Sequence, residues 1–110
     1  MTQVPFRVPK RFKLLGQTIT VVSDINMFIE KLDVVAFACY RTNEIQLNPA
    51  MMYKNQEQNE HAFLHELVHF ILYHAQSAYK NKDSYMHQDE DFVDLTANLL
   101  HQALTTMEYE

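Results

Sequence analysis

Two histidines and a glutamate in the second half of the sequence have the residue types and the spacing that a metal site requires. His65, Glu66 and His69 form the pattern His-Glu-x-x-His. On a helix, side chains four residues apart project from one face, so both imidazoles can reach a single ion. Two neutral nitrogen ligands suit zinc, and Glu66 would lie close enough to accept a proton from an attacking water molecule. The pattern predicts a Zn2+ site with His65 and His69 as ligands and Glu66 as catalytic base.

The segment around this pattern is apolar over most of its circumference when it is drawn as a helix, which predicts that the helix is buried. Two imidazoles and a carboxylate that are buried together need polar partners. A metal ion would provide them, and the alternative is that these groups hydrogen-bond to one another or to a sheet edge. The apolar residues concerned are Phe63, Leu64, Leu67, Val68, Phe70, Ile71, Leu72 and Ala75.

A catalytic zinc site needs a third protein ligand and leaves one position open for water. The acids at the start of the last predicted helix are the candidates, and helical geometry separates them. Glu90 lies at the edge of the apolar face, whereas Asp91 points toward solvent. Glu90 and Asp94 share a face, so Glu90 is predicted to bind the metal and Asp94 to orient a ligand histidine. Asp91, Asp94 and His87 remain alternatives for the third ligand.

Polar residues just before this acidic segment could donate a hydrogen bond to a reacting carbonyl group. His87 is predicted to have this role, with Tyr85 as the alternative donor. Among the other histidines, His61 is two helical turns from the second predicted ligand, which is too far to join the same ion. His74 is predicted to be a packing or surface residue, and His101 a polar residue at a helix interface.

The first half of the chain, which must position this site, has the pattern of β-strands. Residues 12–15 and 18–22 are rich in apolar and β-branched side chains and are joined through the only glycine, so they predict a hairpin. Residues 34–40 and 44–47 predict a second pair of strands. The first strand of that pair is apolar on both faces, which is typical of a central strand.

The second half has the pattern of helices, because it contains no glycine or proline from residue 50 onward. One helix is predicted over residues 56–78 and another over residues 89–107, with a polar connection at 79–88. A short helical or irregular piece is expected at residues 25–32. The predicted fold is a single α+β domain over residues 1–110, in which a small antiparallel sheet packs on two long helices.

Composition narrows the classes of protein to which the chain could belong. Nine basic and 14 acidic residues give a net charge of −5, which argues against a nucleic-acid partner. The longest apolar run is too short for a membrane span. A lone cysteine, Cys39, and a start without an apolar signal segment predict a cytoplasmic protein.

Two segments resemble a known family. The run His-Glu-Leu-Val-His at residues 65–69, followed by Phe-Ile-Leu, and the later residues 90–100 resemble the small zinc metallopeptidases of the ImmA/IrrE type. These proteins are widespread in phages and mobile elements, and similar phage proteins begin with a short hairpin like residues 12–22. The resemblance implies a phage or mobile-element context.

The resemblance also implies a zincin-like fold and a set of site residues. It implies that His65, His69 and Glu90 bind zinc and that Glu66 is the base. Larger family members have the pattern Glu-x-x-Ala-x-x-Phe-Ala in the acidic stretch, and an alignment to that pattern could place Asp91 at the third ligand position.

The residues therefore favour an enzyme that hydrolyses peptide bonds, with an intracellular protein or peptide as substrate. A second hypothesis is a zinc-stabilised protein of the same fold that sequesters a host or phage protein without cutting it. A third is a metal-free module whose helix holds buried histidines. Glu66 favours the enzyme, because a structural zinc site needs no base and usually closes its fourth position with Cys or His. The sequence predicts no particular oligomeric state.

Overall fold

A computed structural model of the chain describes residues 8–30, 33–52, 56–78 and 89–108. Within these ranges, eight elements follow one another. They are the strands β1 (Arg11–Leu14) and β2 (Gln17–Val22), a 3-10 helix (Ile25–Phe28), the strands β3 (Ala36–Cys39) and β4 (Glu44–Leu47), and the helices α1 (Pro49–Met52), α2 (Gln56–Ala78) and α3 (Glu90–Thr106). The α+β class predicted from the sequence is confirmed.

The four strands form one sheet in the order β1-β2-β4-β3. Both predicted hairpins are present, as antiparallel pairs β1–β2 and β3–β4. Leu15 and Gly16 turn the first hairpin with positive φ angles, and Asn43 does so in the second. Such angles are easy for glycine and tolerated by asparagine, which explains their place at the turns.

The prediction of a wholly antiparallel sheet is wrong, because β2 and β4 pair in parallel. After β2 the chain passes through the 3-10 helix and reaches the far side of the sheet before it forms β3. After the tight turn that follows β3, β4 lies between β3 and β2 and runs parallel to β2. The sheet is therefore mixed.

The prediction that β3 is a central strand is also wrong, because β3 lies at an edge of the described sheet and β4 lies inside it. Its apolar character has another cause. Ala36 and Ala38 pack on the main core, whereas the ring of Phe37 lies 5.3 Å from that of Phe28 in the 3-10 helix. Both faces of β3 are thus covered while one backbone edge is not paired with a described strand.

The core lies between the sheet and the two long helices. Burial of these apolar side chains stabilises the fold by roughly 25 cal/mol per Å2 removed from water, which makes this layer the main source of stability. The buried members are Ile19, Ile45 and Leu47 of the sheet, Phe63, Leu64, Val68 and Phe70 of α2, and Val93 and Ala97 of α3.

The start of α3 is fixed by a side-chain cap. The carboxylate of Asp89 accepts a hydrogen bond of 3.1 Å from the backbone N–H of Phe92, which satisfies a donor that the helix leaves without an internal partner. Glu90 is the first residue of the helix that follows. Within the described residues, no helix is both long enough and apolar enough to span a bilayer.

Candidate metal centre

Helices α2 and α3 run antiparallel and bring the predicted ligands together. One carboxylate oxygen of Glu90 lies 2.8 Å from Nε2 of His65, and the other lies 2.9 Å from Nε2 of His69. The two imidazole rings meet edge to face, with centroids 5.0 Å apart. One ligand atom from each of the three residues lies within 4.8 Å of the other two. This group could therefore hold a metal ion.

The two other acidic residues near the start of α3, Asp91 and Asp94, differ in how close they lie to the group of His65, His69 and Glu90. Oδ1 of Asp94 lies 3.5 Å from Nδ1 of His65, on the side of the ring opposite the nitrogen that faces Glu90. This position is the one that a carboxylate needs to orient a ligand histidine. Asp91 is exposed and belongs to neither of the possible metal-binding groups among the described residues. The geometry favours Glu90 over Asp91 and Asp94.

Glu66 lies beside this group but is buried against the edge strand. Its side chain is 8% exposed, and the backbone N–H of Ala38 in β3 donates a hydrogen bond to its carboxylate. Burial raises the pKa of Glu66 to about 7, and the Glu90 charge adds to this, whereas His65 and the Ala38 N–H oppose it. A carboxyl group with a pKa near neutrality can both accept and release a proton.

Tyr40, the residue immediately after β3, borders the same site. The sequence predicted no role for it. Its ring stacks on Tyr73 with centroids 4.2 Å apart and meets Phe70 edge to face at 5.1 Å. Burial raises the pKa of Tyr40 to about 12, with further contributions from Glu66, Glu90 and Tyr73. The hydroxyl group therefore stays protonated at neutral pH and can act as a hydrogen-bond donor.

Two adjoining cavities open beside these residues, between β3 and α2. Each has a volume of about 330 Å3. Ala36, His65 and Glu66 line both of them, so together they form one cleft along the edge strand. One end of the cleft is lined by Tyr40 and Glu90, and the other by residues of the first turns of α2. Glu66 lines the middle of this cleft, beside Ala38 of β3.

The remaining predicted residues divide into two groups. His87 and Tyr85, the predicted hydrogen-bond donors, lie outside the described residues. His74 is buried on α2, and His101 is buried between α2 and α3 as predicted. His61 lies apart from the group around Glu90 and next to His101 instead.

No family model matches the sequence, and neither the curated proteins nor the solved structures contain a match.

Proposed function

We propose that this protein is a zinc-dependent peptidase with His65, His69 and Glu90 as its zinc ligands. The observation that carries the proposal is the convergence of both Nε2 atoms on the Glu90 carboxylate, at 2.8 and 2.9 Å, beside a cleft lined by Glu66. In a tetrahedral zinc site with bonds near 2.0 Å, neighbouring ligand atoms are about 3.3 Å apart. The two contacts to Glu90 are shorter than this, so the Glu90 carboxylate would have to move away from both imidazoles to admit the ion.

The donor set supports zinc in a catalytic rather than a structural role. Two imidazoles and one carboxylate leave a fourth tetrahedral position open, whereas structural sites are usually closed by thiolates. The chain has one cysteine, Cys39, on the edge strand. Zinc bound here would supply an activated water molecule and polarise the carbonyl group of a substrate.

Glu66 would act as the general base and then as the general acid. Its carboxylate accepts the proton that water loses as it attacks the carbonyl carbon, and it delivers this proton to the leaving nitrogen as the C–N bond breaks. The hydrogen bond from the Ala38 N–H holds the carboxylate toward the cleft. This bond also leaves one carboxylate oxygen available for the proton.

Tyr40 would donate a hydrogen bond to the carbonyl oxygen as negative charge develops on it. Stacking on Tyr73 and packing on Phe70 fix the ring at the edge of the cleft. His87 and Tyr85, the donors predicted from the sequence, remain additional candidates for this role.

The class of substrate follows from the position of β3. An edge strand beside a cleft can bind an extended peptide by adding it to the sheet, because backbone groups of the edge other than the Ala38 N–H, which donates to Glu66, would pair with the peptide backbone. We propose an intracellular protein or an unfolded segment of one as substrate, and membership of the ImmA/IrrE type in a phage or mobile-element context.

Substitution of Glu66→Gln tests the mechanism. The variant should retain zinc, because Glu66 is not a proposed ligand, but should cleave no substrate. Proteomes of cells expressing wild type and the variant can be compared for a protein fragment that appears only with wild type. Equal cleavage by both proteins would contradict the proposal. Zinc retention with a stable bound partner and no cleavage by wild type would favour a sequestering protein instead.

A further inference from the structure

A second group of histidine and glutamate side chains lies on the same helix pair, outside the site described above. Glu57, Glu60 and His61 belong to the first turns of α2, and His101 belongs to the last turns of α3. Because the helices are antiparallel, these turns face each other. Because 40 positions separate His61 from His101, helical spacing alone does not predict that they meet.

The side chains of this group are in mutual contact. The rings of His61 and His101 lie with centroids 3.9 Å apart and planes inclined by 32°. Nε2 of His61 is 3.8 Å from a carboxylate oxygen of Glu57. Glu60 and His101 are both buried, and a carboxylate oxygen of Glu60 lies 2.8 Å from Nε2 of His101.

Two observations favour an ion here. One ligand atom from each of Glu57, His61 and His101 lies within 4.8 Å of the other two, as in the first group. In addition, Nδ1 of His61 is buried and makes no hydrogen bond within the described part of the chain. A buried polar atom without a partner is costly, and an ion bound at Nδ1 of His61 would remove this cost.

We propose that Glu57, His61 and His101 form a second binding site for a divalent transition-metal ion. Two imidazoles and a carboxylate suit borderline metals such as Zn2+, Co2+ and Ni2+ and do not suit Mg2+ or Ca2+, which prefer oxygen ligands. Glu60 holds the His101 ring in place, as carboxylates do for ligand histidines. Glu57 is exposed and gives the ion access from solvent.

The second site is separate from the first but joins the same two helices. His61 and His65 are one turn apart, about 6 Å along α2, and the two groups share no residue. An ion at each site would cross-link α2 and α3 at two positions along their interface. The second site borders the cleft through His61, which lines its far end.

Metal stoichiometry tests this proposal. Protein freed of metal with a chelator and then dialysed would be titrated with Zn2+ in a calorimeter. Wild type should bind two equivalents, and His61→Phe, which keeps a ring in contact with His101, should bind one. Glu57→Gln, at an exposed position, should weaken the same event at least tenfold, and it serves as a second variant if His61→Phe does not fold. His74→Phe removes a buried histidine outside both groups and should still bind two.

The double variant His65→Ala/His69→Ala separates this proposal from the peptidase. The double variant should still bind one equivalent of zinc. Addition of His61→Phe to the double variant should abolish this binding. Wild type that binds one equivalent, with that binding unchanged by His61→Phe and Glu57→Gln, would overturn the second site and leave the first intact. If wild type bound one equivalent of zinc and His61→Phe abolished this binding, the result would support the second site and contradict the first. Wild type that binds no zinc would overturn both.

Discussion

Tyr40 shows how a single residue enters the site through packing rather than through sequence pattern. The hydroxyl group lies at the end of an apolar strand, and only the contact of β3 with α2 brings it near Glu66 and Glu90. The histidines of the pattern are different, because helical spacing alone places them on one face. The two histidines could therefore be predicted from the sequence as candidate ligands, whereas Tyr40 could not be predicted as part of the site.

Tyr40→Phe should reduce peptide cleavage and leave zinc binding unchanged. Loss of a hydrogen bond to the developing oxyanion should lower kcat by about 100-fold with a small change in KM, since the bond matters most in the transition state. Cleavage of the identified substrate by equal amounts of each protein measures the effect. Tyr73→Phe is the matched control, because it removes a hydroxyl from the ring stacked on Tyr40. An equal rate for Tyr40→Phe and wild type would show that another group stabilises the oxyanion.

Asp94→Ala should weaken zinc binding at the first site. The carboxylate lies 3.5 Å from Nδ1 of His65, a position from which it would orient the ring and increase the electron density on Nε2. Loss of such a partner typically costs 10- to 100-fold in metal affinity, which competition with a chromogenic chelator would measure. Asp91→Ala removes an exposed acid of the same helix and should leave the affinity unchanged. If both variants lost affinity equally, the general negative charge of α3 would explain the effect.

At the scale of elements, the sequence revealed local structure better than long-range pairing. The helix over residues 56–78 and the strand over residues 44–47 are confirmed with the predicted bounds, and the helix at 89–107 differs by one residue at each end. These segments are defined by their own periodicity and turns. The parallel pairing of β2 with β4 and the edge position of β3 depend on how two hairpins dock, and no local pattern encodes that.

The cap of α3 links an element to the site, because Asp89 fixes the turn that carries Glu90. Asp89→Ala should lower the free energy of unfolding by about 1 kcal/mol, measured by urea denaturation of the metal-free protein. It should also weaken zinc binding, because a frayed first turn no longer holds Glu90 toward His65 and His69. Asp89→Ser keeps a capping oxygen and should restore most of both quantities. An unchanged zinc affinity in Asp89→Ala would mean that Glu90 is positioned by its ligand contacts alone.

At the scale of the whole molecule, both histidine and glutamate groups join the same pair of helices, α2 and α3. The sheet packs mainly on α2, and α3 is attached chiefly through α2. An ion held by side chains of both helices would therefore stabilise the attachment of α3 to the rest of the protein. Because metal binds the folded chain with its ligands in place, its binding energy adds to the free energy of unfolding.

Removal of metal should therefore destabilise the protein in proportion to the number of occupied sites. Free zinc at 100 times the dissociation constant of a site contributes about 2.7 kcal/mol per site. Urea denaturation with zinc or with excess chelator should thus differ by about twice as much for wild type as for His61→Phe or for His65→Ala/His69→Ala. A variant with all three histidines replaced should unfold identically in both conditions, because it has neither site. If that variant were still stabilised by zinc, the ion would be bound by residues outside both groups, and the stabilising role assigned to them would be wrong.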